Sequence, residues 1–284
     1  MKGLKGINVD GTKLNGDIQD LERQLELFSN VGFDAVEVPV HGVEAVLNGR
    51  LQKSISTRVA SLLKNFNFTY TVHAPDYLRL SPSREDLEVH KEVFMACVEF
   101  TSLIDSSLMV YHTDLNQTST DKEKAKEADL VAEVGKTLDD KDVTVAVENM
   151  RNTHPIELAQ FLNQIDHERI RMCYDLGHAY IFSKVFKADF FRCLKEVKSS
   201  IAHIHLHDNF GKGLEAFEEE LSTAPFIHKY PFGIGDLHLP PGWGKIPFTN
   251  IFDVLDDYQD IWLMEIDPRF SKHYRSALKF IKEK

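Results

Sequence analysis

The stretch IAHIHLHDN, residues 201–209, decides how this chain reads. Side chains alternate along a strand, so His203, His205 and His207 share one face while Ile204 and Leu206 share the other. The aliphatic face is suited to packing on helices, which turns the three imidazoles toward an enclosed interior. Five further runs end in the same way. TYTVHAP closes on His73, SLMVYHTD on His112, VTVAVEN on Glu148, IRMCYDLGH on Asp175 with His178, and IWLMEID on Glu265. Each run is short, rich in aliphatic or aromatic residues and followed by a helical pattern, as a buried parallel strand should be. Residue types that bind metals gather at the carboxyl ends of these strands, where active sites of parallel α/β folds lie.

Working outward gives one repeating cycle. Strands are expected at 6–9, 33–38, 68–73, 108–112, 143–148, 170–175, 201–207 and 261–265. Between them, helical patterns cover 17–30, 51–65, 84–101, 121–138, 155–165, 182–197 and 272–281, with Pro155 in the first-turn position that proline favours. Such alternation predicts an α/β fold, a single (β/α)8 TIM barrel spanning residues 1–284 as one domain. The exception is 208–247, after the seventh strand, with six glycines and five prolines. A loop this long inside a compact domain is usually functional. It reads as a lid over the barrel mouth, with a short Glu-rich helix at 214–221 and GWGKIPF as a tight turn into the last long helix.

Bulk properties bound the function. The 284 residues carry a net charge of −11, with 43% hydrophobic and 27% charged residues, and a pI near 5.6. That balance supplies no global basic field for nucleic acid. No apolar signal core opens the chain, and no run approaches the ~18 apolar residues of a membrane span. Cys97, Cys173 and Cys193 are widely spaced in apolar patterns, which predicts buried free thiols in a cytoplasmic enzyme rather than a disulfide framework.

In VTVAVEN the inward set is Thr144, Ala146 and Glu148. Glu148, Asp175, His205 and Glu265 therefore converge as three carboxylates and one imidazole. Without a divalent cation those carboxylates would repel one another. A mixed N/O set suits Zn, Mn, Co, Fe or Mg; one to three ions of Zn, Mn or Co are expected. A second ring of candidates surrounds the first: His73, His112, His178, Asp236 and His238. His207, Asn149 and Lys245 are assigned to substrate binding. His41, His90, His154, His167, His228 and His273 lie off the pattern and receive no role.

These motifs, VHAP, VYH, VEN, YDLGH, HIHLHDN, DLHLPPGWGKI and LMEI, resemble the xylose isomerase-like TIM-barrel superfamily over essentially the whole chain. That superfamily includes sugar isomerases and epimerases and the endonuclease IV type of apurinic/apyrimidinic (AP) endonuclease. The resemblance implies that Glu148, Asp175, His205 and Glu265 hold one metal, with Glu148 and Glu265 also exchanging a proton at a sugar carbon. By resemblance to endonuclease IV, His73, His112, His178, Asp236 and His238 would complete a three-zinc cluster. The chain departs from endonuclease IV in HAPDYLRLS, in Asp-Leu-Gly-His for Asp-Thr-Cys-His, and in His-Leu-His-Asp-Asn-Phe for His-x-Asn-Asp-Ala-Lys. Tyr77-Leu78 is the pair that would wedge into a duplex. The expected activity is a metal-dependent isomerase or epimerase of a small sugar or keto-sugar, as monomer or homodimer, with no membrane partner and with nucleic acid disfavoured as a partner but left open. The alternative is a zinc phosphodiesterase acting on abasic DNA, and a metal-dependent sugar sensor is a third, non-enzymatic reading.

Overall fold

Parallel strands close into a barrel in the computed structural model, which describes residues 2–213 and 225–283. The barrel strands are β1 (Leu4–Asn8), β2 (Ala35–Pro39), β5 (Thr69–His73), β6 (Leu108–His112), β7 (Thr144–Glu148), β8 (Ile170–Asp175), β9 (Ile201–Leu206) and β10 (Ile261–Met264). They pair in the order β1-β10-β9-β8-β7-β6-β5-β2, and β2 returns to β1. A two-residue hairpin, β3 (Val46–Leu47) with β4 (Arg50–Leu51), sits outside this ring. The expected (β/α)8 barrel is therefore the architecture.

Most helices begin where the sequence supplies a cap. Asp17 accepts from the Gln19 amide ahead of α2 (Ile18–Val31), which Gly32 ends in the left-handed region at φ 97°. Thr120 and Glu123 form a reciprocal capping box on α5 (Asp121–Gly135). His154 caps α6 (Pro155–Ile165), with Pro155 in its first turn. One expected helix, 182–197, is in fact two. Helix α7 (Leu176–Val185) starts directly at the strand end, capped by Asp175, and α8 (Phe190–Val197) restarts on its own cap, Asp189. Lys187, at φ +56°, makes the break between them.

Two layers build the core. Trp262 faces outward from β10, fully buried, its ring 5.3 Å from Phe252 of α10 (Phe248–Val254) in an edge-to-face pair. Inside the barrel, Ala35, Ile261 and Leu263 form one small apolar cluster and Val110, Ala146 and Cys173 another. Polar side chains occupy the levels above them. Where β8 meets β9 the register shifts between Met172 and Cys173, after which Asp175 lies directly beside His205. A one-residue offset re-aims side chains, and here it aligns two candidate ligands.

Within 208–247, Asp208 bridges to Leu239 as an isolated antiparallel pair, and α9 (Phe226–Lys229) follows Pro225. The helix expected at 214–221 lies outside the described residues. The GWGKIPF turn leads into the seven-residue α10, not into the last long helix, because β10 intervenes before α11 (Tyr274–Lys282). Among the described residues no helix is long and apolar enough to cross a membrane. The three cysteines are buried and unpaired.

Candidate metal centre

Glu148 is the hub at the carboxyl end of the barrel. It ends β7, is 1% exposed, and four imidazoles surround its carboxylate. His112 Nε2 is 2.9 Å from Oε2, His205 Nδ1 3.5 Å and His73 Nε2 3.6 Å, while His178 Nδ1 is 3.2 Å from Oε1. Three more donors join it. One ligand atom from each of Glu148, Asp175, His205 and Glu265 lies within 4.8 Å of every other. The four residues singled out on strands five to eight thus meet at one point.

The outer candidates gather in two groups beside that point. His73, His112 and Glu148 form one set, and His178, His207, Asp236 and His238 the other. Asp175 caps α7 and accepts from the His178 amide, which fixes His178 one turn beyond the strand end. His238 arrives from the long loop in the left-handed region, at φ +44°. That conformation is uncommon for a residue other than glycine and is held here by neighbours: Nδ1 lies 2.8 Å from the Glu265 carbonyl, and the Asp267 amide donates to the His238 carbonyl.

Charge distribution explains how so many acids and imidazoles coexist in one buried cluster. Burial, the largest influence on Glu148, opposes its ionisation. The fields of His205 and His112 and hydrogen bonds from His112 and His178 outweigh it and hold the carboxyl well below its usual range. The same contest lowers Glu265 to about 2, chiefly through His205. Burial pulls His73 down, yet its hydrogen bond to Glu148 and the fields of Glu37 and Glu265 push it up to about 10. Acids and imidazoles therefore neutralise one another through bound protons. A divalent cation replaces such protons when it binds.

The donor set fits such a cation. Both ring nitrogens of His205, Asp175 Oδ2, His112 Nδ1 and Asp236 Oδ1 are buried without a hydrogen-bond partner. Orphaned lone pairs in a dry site are costly, and ligation is the common reason that they persist.

Sequence reasoning passed over Glu37. It stands mid-strand in β2, 1% exposed, and accepts from Thr71 Oγ1 at 3.0 Å. Its oxygens lie 3.3 Å from His205 Nε2 and 3.4 Å from His203 Nε2. The available signal was a lone acid inside AVEVP, a strand otherwise free of charge. His41, given no role above, lines a cavity of about 550 Å³ beside the centre, together with Glu265, His73, Asp76, Asp267 and Arg269. A cavity of that size suits a small molecule.

The three residues assigned to substrate binding go elsewhere. Asn149 is fully buried, and its amide spans to β8, donating to the Asp175 carbonyl and accepting from the Asp175 N–H. His207 is fully buried among Asp175, Asp236 and His238. Lys245 is exposed on the turn near the end of the long loop, its backbone N–H on the Asn209 carbonyl. None of them lines that cavity. Of the proposed wedge, Tyr77 is 86% exposed but Leu78 is only 2% exposed, packed into the core.

The profile of the xylose isomerase-like TIM barrel family matches residues 25–284. The chain belongs to that family. An uncharacterised protein of Methanocaldococcus jannaschii is 22% identical over 92% of this chain and 82% of its own length. Among solved structures, a D-tagatose 3-epimerase-like protein superposes with a TM-score of 0.70 at 20% identity, covering 99% of this chain and 97% of the other. A probable 3-DHS dehydratase from Bacillus anthracis superposes with a TM-score of 0.74 at 16% identity, covering 99% of each chain. At these identities the superpositions speak for the fold of a xylose isomerase-like barrel and for nothing finer.

Proposed function

We propose that this xylose isomerase-like barrel is a divalent-metal-dependent isomerase or epimerase of a small sugar or keto-sugar. One observation carries the reading: Glu148, Asp175, His205 and Glu265 converge within 4.8 Å, and Glu265 opens onto a cavity of about 550 Å³. Those four residues would hold the cation, which would supply a Lewis acid to spread the charge developing as the C–H bond beside a carbonyl breaks. Glu265 faces the cavity, so it is placed to remove that proton. Glu148 is enclosed by imidazoles and carries the second exchange, with His112 hydrogen-bonded behind it. Asn149 clamps Asp175 to β7, which makes it a positioning residue rather than a substrate contact.

The epimerase-like name of one structural relative accords with this reading. The alternative, phosphodiester hydrolysis, draws on the additional groups His73–His112–Glu148 and His178–Asp236–His238. Against it stand the acidic lining, where Asp10, Glu37, Asp76, Glu265 and Asp267 outnumber Lys13, Arg269 and the imidazoles of His41 and His73, and the burial of Leu78. Lys13 and Arg269 are themselves paired with Asp10 and Asp267.

Incubating the metal-loaded protein with a panel of ketoses in deuterated water tests the reading. Deuterium should enter the carbon beside the carbonyl, and EDTA should abolish the exchange. Incision of abasic-site DNA with no exchange on any ketose would overturn it.

A further inference from the structure

We propose that His207 is the fourth protein donor of a second metal site, formed with His178, Asp236 and His238, and that this site is closed and structural. It would anchor the long loop after β9 to the barrel and leave the reaction to the neighbouring centre. The inference rests on the metal dependence proposed above but assigns a different ion and a different role.

Four observations lead there. The ligand atoms of His178, His207, Asp236 and His238 lie within 4.8 Å of one another, with Asp236 Oδ2 2.7 Å from His178 Nε2 and 3.2 Å from His238 Nε2. His207 Nε2 is 3.5 Å from the other oxygen of Asp236, and that oxygen has no hydrogen-bond partner. Both ring nitrogens of His207 are buried without a hydrogen-bond partner, and the nearest carboxylate oxygen besides that of Asp236 is Asp175 Oδ1, 3.2 Å from Nε2. Space has also been made for this ring. A Cβ on Gly177 would sit 1.9 Å from His207 Cε1, so only glycine in YDLGH lets the imidazole lie here, stacked on His238 with centroids 3.9 Å apart.

Donor type separates this site from its neighbour, which offers three carboxylates and one imidazole. Three imidazoles and a carboxylate fill the four positions that structural zinc takes. None of the four lines the cavity. The chain connectivity supplies the purpose. His178 belongs to α7 and His207 follows β9, both on the barrel, while Asp236 and His238 come from the loop. An ion shared by them clamps the loop against the barrel, next to Glu265, whose carbonyl His238 Nδ1 also contacts.

Cobalt(II) titration of the metal-stripped protein reads this directly, because four-coordinate Co2+ absorbs visible light far more strongly than five- or six-coordinate Co2+. The wild type should bind at least two equivalents, one with the intense four-coordinate bands. In His207→Asn those bands should fall several-fold and one equivalent should be lost after gel filtration. Gly177→Ala leaves every donor in place but displaces the ring, and should do the same; it also serves if His207→Asn fails to fold. Loss of that equivalent should lower Tm while ketose exchange persists with reduced turnover. Unchanged bands and metal count in both variants would show that His207 only contacts Asp175, and would overturn the proposal. So would a wild type that binds a single equivalent. Failure of ketose exchange with the bands behaving as expected would instead count against the proposed activity alone.

Discussion

Asp208 and Glu148 are two buried carboxylates at the same end of the barrel, and they are stabilised in opposite ways. Asp208 accepts four backbone N–H groups: Asn209 and Ile246 on one oxygen, Gly242 and Gly244 on the other, at 2.8–3.2 Å. Its lone pairs are filled by amides that never titrate. Glu148 is ringed by imidazoles, and the groups around it keep orphaned ring nitrogens. A carboxylate saturated by backbone is a fastener, and this one ties the GWGKI turn to the end of β9. A carboxylate held by imidazoles with open lone pairs has the chemistry a bound cation would use, which is the role proposed for Glu148.

The largest expected effect lies on the Glu148 side. Glu148→Gln keeps the shape but removes a donor and a proton carrier, so kcat on the exchanging ketose should fall by about 10⁴-fold, and Glu265→Gln comparably. Circular dichroism should show both variants folded. Near wild-type turnover in either would remove that residue from the mechanism.

Asp208→Ala probes the other side. It strands four amides, so thermal or denaturant unfolding should show a loss of about 3 kcal/mol, while metal bound by Glu148, Asp175, His205 and Glu265 is retained. A variant that lost this metal with stability unchanged would erase the distinction drawn between the two acids.

Glu37→Gln sharpens it further. Glu37 approaches His205 Nε2 and leaves Nδ1 toward Glu148 and Glu265, at 3.5 and 3.4 Å. Partners behind a ligand orient it, so metal affinity measured by competition with a chelator should weaken about 10- to 100-fold. An unchanged affinity would make Glu37 a matter of packing alone.

The smallest effect concerns a third buried acid with no imidazole beside it. Glu127 accepts from Thr113 Oγ1 at 2.6 Å and from the Asp114 amide, but burial dominates and pushes it up to about 7. A carboxyl raised on folding binds its proton more tightly in the native state. Its contribution is full below the ordinary glutamate value and is lost as pH rises through about 7. Glu127→Gln should therefore gain stability relative to wild type between pH 5 and pH 8, by about 1–2 kcal/mol. Parallel melting curves for the two proteins across that range would refute the shift.

The alternation in IAHIHLHDN and the acids and histidines closing successive apolar runs were enough to read the barrel and to name Glu148, Asp175, His205 and Glu265. Those features are local, since strand periodicity and strand-end chemistry are written in consecutive residues. Helix α7 was misread because the Asp175 cap starts it inside a run that also reads as strand end and turn. Glu37 was missed because a single acid in AVEVP gains meaning only when Thr71, His203 and His205 arrive from other strands. The duties of Asn149 and His207 were invisible for the same reason: one clamps a neighbouring strand, and the other fits a space that Gly177 leaves thirty residues earlier in the chain. Sequence by itself determined which residues reach the carboxyl end of the barrel, because period and turn position are properties of the chain. Only the tertiary structure decided which of them touch the cavity, which touch each other and which hold backbone, because register, the shift between β8 and β9, and the return of the long loop are set by packing between distant segments.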